Sequence, residues 1–518
     1  MAAPIYQTAS GRLWHAGMLI FTYILIVTVG LPARGKTHVS RALERYLRWL
    51  GVKTQVFSLG DYRRKHIGGA KALPKDYFQT NEWSEETKKL RASIKGGCED
   101  MIRAFFGPKQ RGQVAIYDAN NGTKQARKEL ADEWTAEGVH VIFLESVCTN
   151  QDIVEANIRS VKISSPDYKG WDPEKAVADY WTRIREHEQY YQTIDEEEWA
   201  WIQIINIGEM IRMNRVQGYL QSRMVFFLMN IHTKNRAIYF ARSGGSLIEH
   251  SYKADADLSP TGWAYAERLM DFVLERRRES VEERRQQDQT AEKNKLVVWT
   301  STRRRSHHSA WPFQQAGFKV LQKSQMCEIN PGIWDGLSPE EAMEQYPEEY
   351  ERFIKDPYAF RAPRAESYHD LSVRLEPVLV ELEQSQDDLL IVTHSSVIRC
   401  LLGYLIGLPP HEVPAIEINR GDLLEVVPAS YGVRSQTLQF WSPMQGEAQD
   451  GQNALEDFKG EKDHHHHPVA EPGTVDITHV AGDEGEDRLG RTLGDYVYAP
   501  NIEVTTSTPP LEESLGVA

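Results

Sequence analysis

Gly30, Leu31, Pro32, Ala33, Arg34, Gly35, Lys36 and Thr37 follow the pattern G-x-x-x-x-G-K-T, whose chemistry is the cradling of a nucleoside triphosphate. Gly30 and Gly35 permit backbone turns and close approach of a phosphate. Successive loop N–H groups, those of Ala33 and Arg34 among them, make an anion cradle backed by a helix N-terminus. Lys36 supplies a mobile positive charge for the β- and γ-phosphates, and the Thr37 hydroxyl is a ligand for Mg²⁺. A second acid must hold or orient that metal. Asp118 closes the apolar run 114–117 and stands where a strand-end acid of this kind belongs. The expected chemistry is phosphoryl transfer from ATP with Mg²⁺. An acceptor that carries its own phosphate needs fixed cations opposite the nucleotide. Arg63, Arg64, Arg91, Arg127, Lys162 and Arg183 are available, and spacing alone does not choose among them.

Such a loop works only between a buried strand and a helix. Residues 18–30 form an apolar run shorter than the roughly 20 residues that span a bilayer, with no basic stretch in front of it. They read as a buried parallel strand at 24–29 rather than a signal peptide or a membrane span. A helix is expected over 38–50, strands over 55–59, 114–117, 139–144 and 202–207, and helices over 127–137 and 174–194, with another inside 216–232. A second set of strands follows at 237–241, 296–299 and 389–393, with a helix over 397–405. Both sets have the alternating rhythm of a mostly parallel sheet covered by helices. The 518 residues are too many for one core. The expected organisation is an arm of unassigned role at 1–18, a P-loop kinase domain at 19–235, a second α/β domain at 236–435 and an acidic disordered tail at 436–518.

Composition excludes little. Hydrophobic content of 41% and charged content of 26% are ordinary for a globular protein. The net charge of -14 argues against nucleic acid as the main partner. Cys98, Cys148, Cys327 and Cys400 make no C-x-x-C pair and read as free thiols of a cytoplasmic protein. The segment 274–295 is nearly all polar, with acids and bases interleaved, and reads as a solvated helix or surface insertion. The four-histidine tract 464–467 lies in the tail, where no metal site is expected.

Several motifs occur in a specific order: GLPARGKT at 30–37, GDYRR at 60–64, YDANNGTKQAR at 117–127, VKISSPDY at 161–168 and RMNRVQGYLQSRMVFFLMNIH at 212–232. Over roughly residues 20–435 the chain resembles the fungal and animal 6-phosphofructo-2-kinase/fructose-2,6-bisphosphatase family. The resemblance implies a P-loop kinase followed by a histidine-phosphatase-like (phosphoglycerate-mutase-like) α/β domain. It also implies transfer from ATP to fructose 6-phosphate, giving fructose 2,6-bisphosphate. By similarity, Lys36, Asp118 and Lys162 serve the transfer, while Arg63, Arg91, Arg183 and His187 bind the sugar phosphate. His187 is a departure, because the family usually has tyrosine there.

The second domain departs further. FARSGGS at 240–246 resembles the stretch that reads Arg-His-Gly-Glu in the histidine phosphatases, whose histidine accepts the phosphoryl group. Arg242 remains, Ser243 replaces the nucleophile, and Gly245 replaces the glutamate. Glu249 stands where an asparagine is usual. WTSTRRRSHHSA at 299–310 brings Arg305, CEINPG at 327–332 retains Glu328 but has Asn330 for an acid, FRAPRAESY at 360–368 brings Arg361 and Arg364, and THSSVIRC at 393–400 keeps His394. A serine hydroxyl needs an activating base where an imidazole does not, so a degenerate bisphosphatase site is expected. The reading is therefore a kinase with an impaired second site. The alternatives are a bifunctional enzyme with residual hydrolysis and a nonenzymatic sugar-phosphate sensor. ATP and fructose 6-phosphate are the expected partners, a homodimer stays open, and neither nucleic acid nor a membrane is expected.

Overall fold

The computed structural model describes residues 23–442, apart from 70, 71, 75, 80–82, 152, 153, 156, 159–166, 168–171, 207, 233–235, 249, 250, 288–293, 430 and 431. Lys162, Glu249, the 464–467 tract and nearly all of the expected arm and tail lie outside the described residues.

The first domain is one six-stranded sheet in the order β2-β3-β1-β4-β5-β6. Its strands are β1 (Ile24–Val29), β2 (Thr54–Ser58), β3 (Val114–Asp118), β4 (His140–Val147), β5 (Ala200–Ile205) and β6 (Met210–Asn214). All neighbours pair in parallel except β6, which runs antiparallel to β5. β1 is buried at every position, and β3 likewise, as strands of a sheet covered on both faces must be. From β1 the chain builds outward to β3 and β2 on one side and to β4 and β5 on the other. The C-terminal end of β1 is therefore a topological switch point, where open α/β sheets place their ligands. The helices are α1 (Lys36–Trp49), α2 (Leu59–Ile67), α3 (Glu85–Phe106), α4 (Lys124–Ala136), α5 (Pro173–Glu188) and α6 (Tyr219–Leu228). The strand expected at 55–59 stops at Ser58, because the Ser58 side chain accepts from Asp61 N and caps α2. The helix expected to reach 194 ends at Glu188.

The second domain has its own six-stranded sheet in the order β12-β11-β7-β10-β8-β9. Its strands are β7 (Ile238–Arg242), β8 (Leu296–Thr300), β9 (Lys319–Gln322), β10 (Asp388–Thr393), β11 (Asp422–Ala429) and β12 (Gly432–Gln439). β10 lies parallel between β7 and β8, so three strand ends open on the same edge. The helices are α7 (Pro260–Gln287), α8 (Arg304–Ser309), α9 (Trp311–Gln315), α10 (Pro339–Gln345), α11 (Pro347–Lys355), α12 (Tyr368–Gln384) and α13 (Ser395–Ile406).

Two expectations are corrected here. Over 274–287 the polar segment is the second half of the long helix α7, and it is not all solvated. Arg277 is buried and holds Asp388 at 3.0 Å. The domain end expected at 435 falls inside β12, whose hairpin with β11 runs to Gln439, and Phe440 is buried against Tyr265. Among the described residues no helix is long and apolar enough to cross a membrane. Cys98, Cys148 and Cys400 are buried free thiols, and Cys327 is half-buried.

Candidate active sites

The phosphate loop leaves β1 and turns into α1. Gly35 caps the helix in the left-handed region at φ 78°. Gly30 has φ 144°, and a Cβ there would stand 2.7 Å from the Ser146 carbonyl oxygen, so only glycine fits. Ala33 also takes a positive φ of 60°, a conformation that costs a non-glycine residue energy unless its surroundings impose it. Here Asn157 donates to the Ala33 carbonyl at 3.0 Å, and the Ser146 hydroxyl donates to that of Arg34. The Arg34 side chain is buried, bonds the Pro32 carbonyl and lies 3.7 Å from Glu188. Its backbone shapes the loop while its guanidinium braces it.

Lys36 donates to the carbonyls of Gly30 at 2.9 Å and Leu31 at 2.7 Å. The Thr37 hydroxyl donates to Asp118 at 2.8 Å, joining the two residues expected at the metal. Thr28 on β1 fixes the other side of this acid. Its hydroxyl donates to the Ala119 carbonyl at 2.7 Å, and the Ala119 N–H donates back to the Thr28 oxygen at 3.0 Å. Burial pushes the Asp118 carboxyl above its ordinary pKa, an effect opposed by the Thr37 bond and the Lys36 charge. Burial also brings Lys36 down to about 8, against the pull of Asp118.

The sugar-side cations converge in part. Arg63 is buried on Asp167 at 2.6 Å, with Arg64 on the same carboxylate at 3.2 Å. Arg183 lies 3.6 Å from the centroid of Phe78, and Arg63 lies 5.4 Å from that ring. Arg91 donates to the Tyr77 carbonyl at 2.7 Å and stacks over Trp83 at 4.2 Å. His187 falls to about 4, first through burial and then through the charges of Lys36, Arg91 and Arg183. Those three cations therefore lie close enough to His187 to act on it. Arg127 is not among them. This side chain is wholly buried, pairs with Glu196 at 2.6 Å, and donates to the Gln192 carbonyl at 2.9 Å. It braces the loop after Asp118 instead of facing a ligand. Sequence reasoning missed Phe78, which carries no motif signal, and Asp167, which lies within VKISSPDY but offers no cation.

The second cleft opens where β7, β8 and β10 end. The Ser243 N–H donates to the Thr393 carbonyl at 2.9 Å, and Arg420 donates to the Ser243 carbonyl at 3.2 Å. Arg242 donates to the Ile418 carbonyl at 3.0 Å. His394 is buried, with Nε2 at 2.9 Å from the Ser301 hydroxyl and Nδ1 at 3.8 Å from Glu328. Burial, then Arg305, Arg303 and Arg242, hold its pKa well below the ordinary value. Arg305 pairs with Glu328. Arg305, Glu328 and His394 lie together, and Arg242 ends the neighbouring strand β7 with Ser243 directly after it. Arg361 is exposed and faces Asp370 at 3.4 Å, and Arg364 is exposed at φ 62°. Asn330 serves the backbone: its side chain accepts from Gly332 N at 2.9 Å and donates to the Arg364 carbonyl at 3.2 Å. Arg420 and Ser301 were not anticipated, because neither lies at a position that a motif marked for chemistry.

A family model described as 6-phosphofructo-2-kinase matches residues 20–235, and one described as histidine phosphatase superfamily (branch 1) matches residues 238–441. A Gallus gallus 6-phosphofructo-2-kinase/fructose-2,6-bisphosphatase is 36% identical over 419 residues, covering 80% of this chain and 84% of its own. The chain belongs to the 6-phosphofructo-2-kinase/fructose-2,6-bisphosphatase family. A Saccharomyces cerevisiae protein provisionally named for both activities is 39% identical over 434 residues, covering 82% of this chain and 83% of its own. A second Saccharomyces cerevisiae relative, named fructose-2,6-bisphosphatase, is 34% identical over 417 residues, covering 79% and 87%. The first domain here is accordingly a 6-phosphofructo-2-kinase domain of the P-loop type. The second is a histidine-phosphatase-superfamily domain, whose match reaches past the end expected at 435.

Proposed function

We propose that this protein transfers the γ-phosphoryl group of ATP to the 2-hydroxyl of fructose 6-phosphate, and that its second domain lacks efficient bisphosphatase activity. The observation that carries the first part is the pairing of Thr37 with Asp118 at 2.8 Å beside Lys36, in a cleft where Arg91, Arg183 and Lys36 all act on His187. The new bond joins the sugar O2 to phosphorus, the bond to the β-phosphate oxygen breaks, ADP leaves and the hydroxyl proton is released. Lys36 holds charge on the transferred group, and Arg63, Arg91 and Arg183 hold the sugar phosphate. His187 is neutral through the physiological range and offers one N–H.

The donor set suits Mg²⁺, which prefers hard oxygen ligands: Thr37 and Asp118 supply a hydroxyl and a carboxylate on adjoining elements. When bound with ATP, the ion neutralises charge on the β- and γ-phosphates. Binding of fructose 6-phosphate rather than fructose follows from the cations, which reward a dianion with charge-assisted bonds.

Loss of hydrolysis is supported by the environment of Ser243. The candidate base, His394, already has the Ser301 hydroxyl at Nε2, with Glu328 3.8 Å from Nδ1. The arginine frame favours the residual-hydrolysis alternative only as far as binding goes. Incubating the protein with ATP, Mg²⁺ and fructose 6-phosphate tests the proposal, with the position of the new phosphate mapped. Fructose 2,6-bisphosphate is expected, and a 1,6-bisphosphate would overturn the assignment.

A further inference from the structure

Helix α1 carries Lys36 and Thr37 in its first turn, but its far half does not rest on the first domain alone. Tyr46 stacks on Phe227 of α6 at 4.3 Å, then donates to Glu376 of α12 at 3.0 Å. Arg45 reaches Glu383 of α12 at 3.5 Å, and Tyr404 of α13 donates to the same carboxylate oxygen at 2.6 Å. Arg48 donates to the Gly407 carbonyl at 3.5 Å, and Trp49 meets Tyr404 edge-on at 5.8 Å. Leu43 and Leu47 belong to one continuous apolar core with Leu379, Leu401 and Leu405. The seat of the phosphate-loop helix is thus built in part by the second domain.

Glu383 is the centre of this seat. It is buried, and burial by itself would raise its pKa, yet the charges of Arg45 and Arg236 hold it below the ordinary carboxylate value. A helix is stiff, with each residue fixed to the fourth before it. A change of seat at Arg45 therefore reaches Lys36 and Thr37 as a movement of the whole rod. Displacements of about 1 Å at a transfer centre cost on the order of 10²-fold in rate.

We infer that Glu383, a residue of the second domain, is a positioning residue for phosphoryl transfer in the first: with Tyr404 it holds Arg45, and so fixes the helix that presents Lys36 and Thr37 to ATP. This rests on the kinase reading above. It gives the second domain a task that needs neither a nucleophile nor an occupied cleft.

The test uses the full chain. Glu383→Gln removes the charge and keeps the shape. We expect kcat to fall about tenfold and KM for ATP to rise several-fold, with KM for fructose 6-phosphate unchanged. A smaller folded fraction would lower kcat and leave both KM values alone, so the ATP shift separates positioning from mere destabilisation. Glu381→Gln is the control. It lies on the same helix, exposed and paired with Lys323, and it keeps wild-type kinetics. If Glu383→Gln does not fold, Arg45→Met is compared with Arg45→Met/Glu383→Met, in which neither member of the pair is left without the other. Recovery of kcat and of ATP affinity in the double variant supports the inference, because neighbouring sites that act together are non-additive. Wild-type values in a folded Glu383→Gln protein, or a double variant no better than the single, would overturn it. Should the wild-type protein transfer nothing to fructose 6-phosphate, the kinase reading fails instead. The ATP dissociation constants of the same variants, measured by calorimetry, then decide the positioning claim alone.

Discussion

The two clefts share a plan, in which a parallel strand runs into a loop that opens a helix, and they differ in which part of the loop the fold itself uses. In the first, the reacting groups are also the structural ones. Lys36 closes the phosphate loop on the carbonyls of Gly30 and Leu31, and Thr37 ties that loop to Asp118. In the second, the fold uses only the backbone of Ser243, through Thr393 and Arg420, while the cations around it are anchored separately. A side chain that the fold does not need can change without unfolding the protein. The second cleft accordingly has its arginines set around a serine, whereas the first holds Lys36, Thr37 and Asp118 together.

Removing a reacting group from the first cleft should have the largest effect. Lys36→Ala or Asp118→Ala is expected to lower kinase turnover by 10²-fold or more, because charge stabilisation at such centres is commonly worth several kcal/mol. Circular dichroism should stay native, and wild-type turnover in either folded variant would remove the basis of the comparison. Rebuilding the second cleft should do less. Ser243→His alone is expected to give a trace of fructose 2,6-bisphosphatase activity. Adding Gly245→Glu and Glu249→Asn, which restore the residues usual at those positions in the family that the chain resembles, should raise it at least about tenfold. Phosphate release and trapped phosphohistidine measure this, and equal activity in the single and triple variants would mean that the other two changes are neutral.

Titration sharpens the same contrast. Lys36 in the ligand-free protein titrates at about 8, and ATP binds the protonated form. The ATP dissociation constant should therefore rise toward about tenfold per pH unit above that value. Calorimetry at pH 7, 8 and 9 checks it, and a flat profile would show that Lys36 does not meet the phosphates as an ammonium. The smallest effect lies far from either reaction. Glu412 is buried near α13, neither carboxylate oxygen has a hydrogen-bond partner among the described residues, and burial raises it to about 7 from 4.5. Below the lower value, folded and unfolded chains both carry the proton, and the group costs nothing. Between the two values the unfolded chain ionises first, so stability falls as pH rises and then levels off. Glu412→Gln should raise Tm by a few degrees at pH 8 and leave it unchanged near pH 4. The opposite ordering would mean that the carboxylate has a partner in solution.

The chemistry-bearing loop was legible because its residues are contiguous and their roles are local: Gly30, Gly35, Lys36 and Thr37 need only the strand before and the helix after. Asp118 was legible as the acid that ends a buried run. Arg127 stayed open among the available cations, because nothing in its neighbourhood announces Glu196, which lies far along the chain and neutralises it. Phe78, Asp167, Ser301 and Arg420 were passed over for a related reason. Each matters through a partner brought near by folding, and a ring or a carboxylate at such a place has no pattern of its own. The β11–β12 hairpin was missed where the composition had already begun to turn polar, because alternation on a half-buried edge resembles a linker.

Sequence by itself determined the phosphate loop, the strand–helix rhythm of two α/β units, the order of the family's motifs, and the absence of a histidine at position 243. These are properties of residue type and spacing, and short-range geometry follows from them. Only the tertiary structure decided which arginines face a cleft and which brace a loop, that His394 Nε2 meets the Ser301 hydroxyl, and that α1 is seated on Glu383 and Tyr404 of the other domain. Those outcomes depend on long-range pairing of buried charges. A charge taken out of water must find its partner wherever the fold brings one, and spacing along the chain carries no record of that distance.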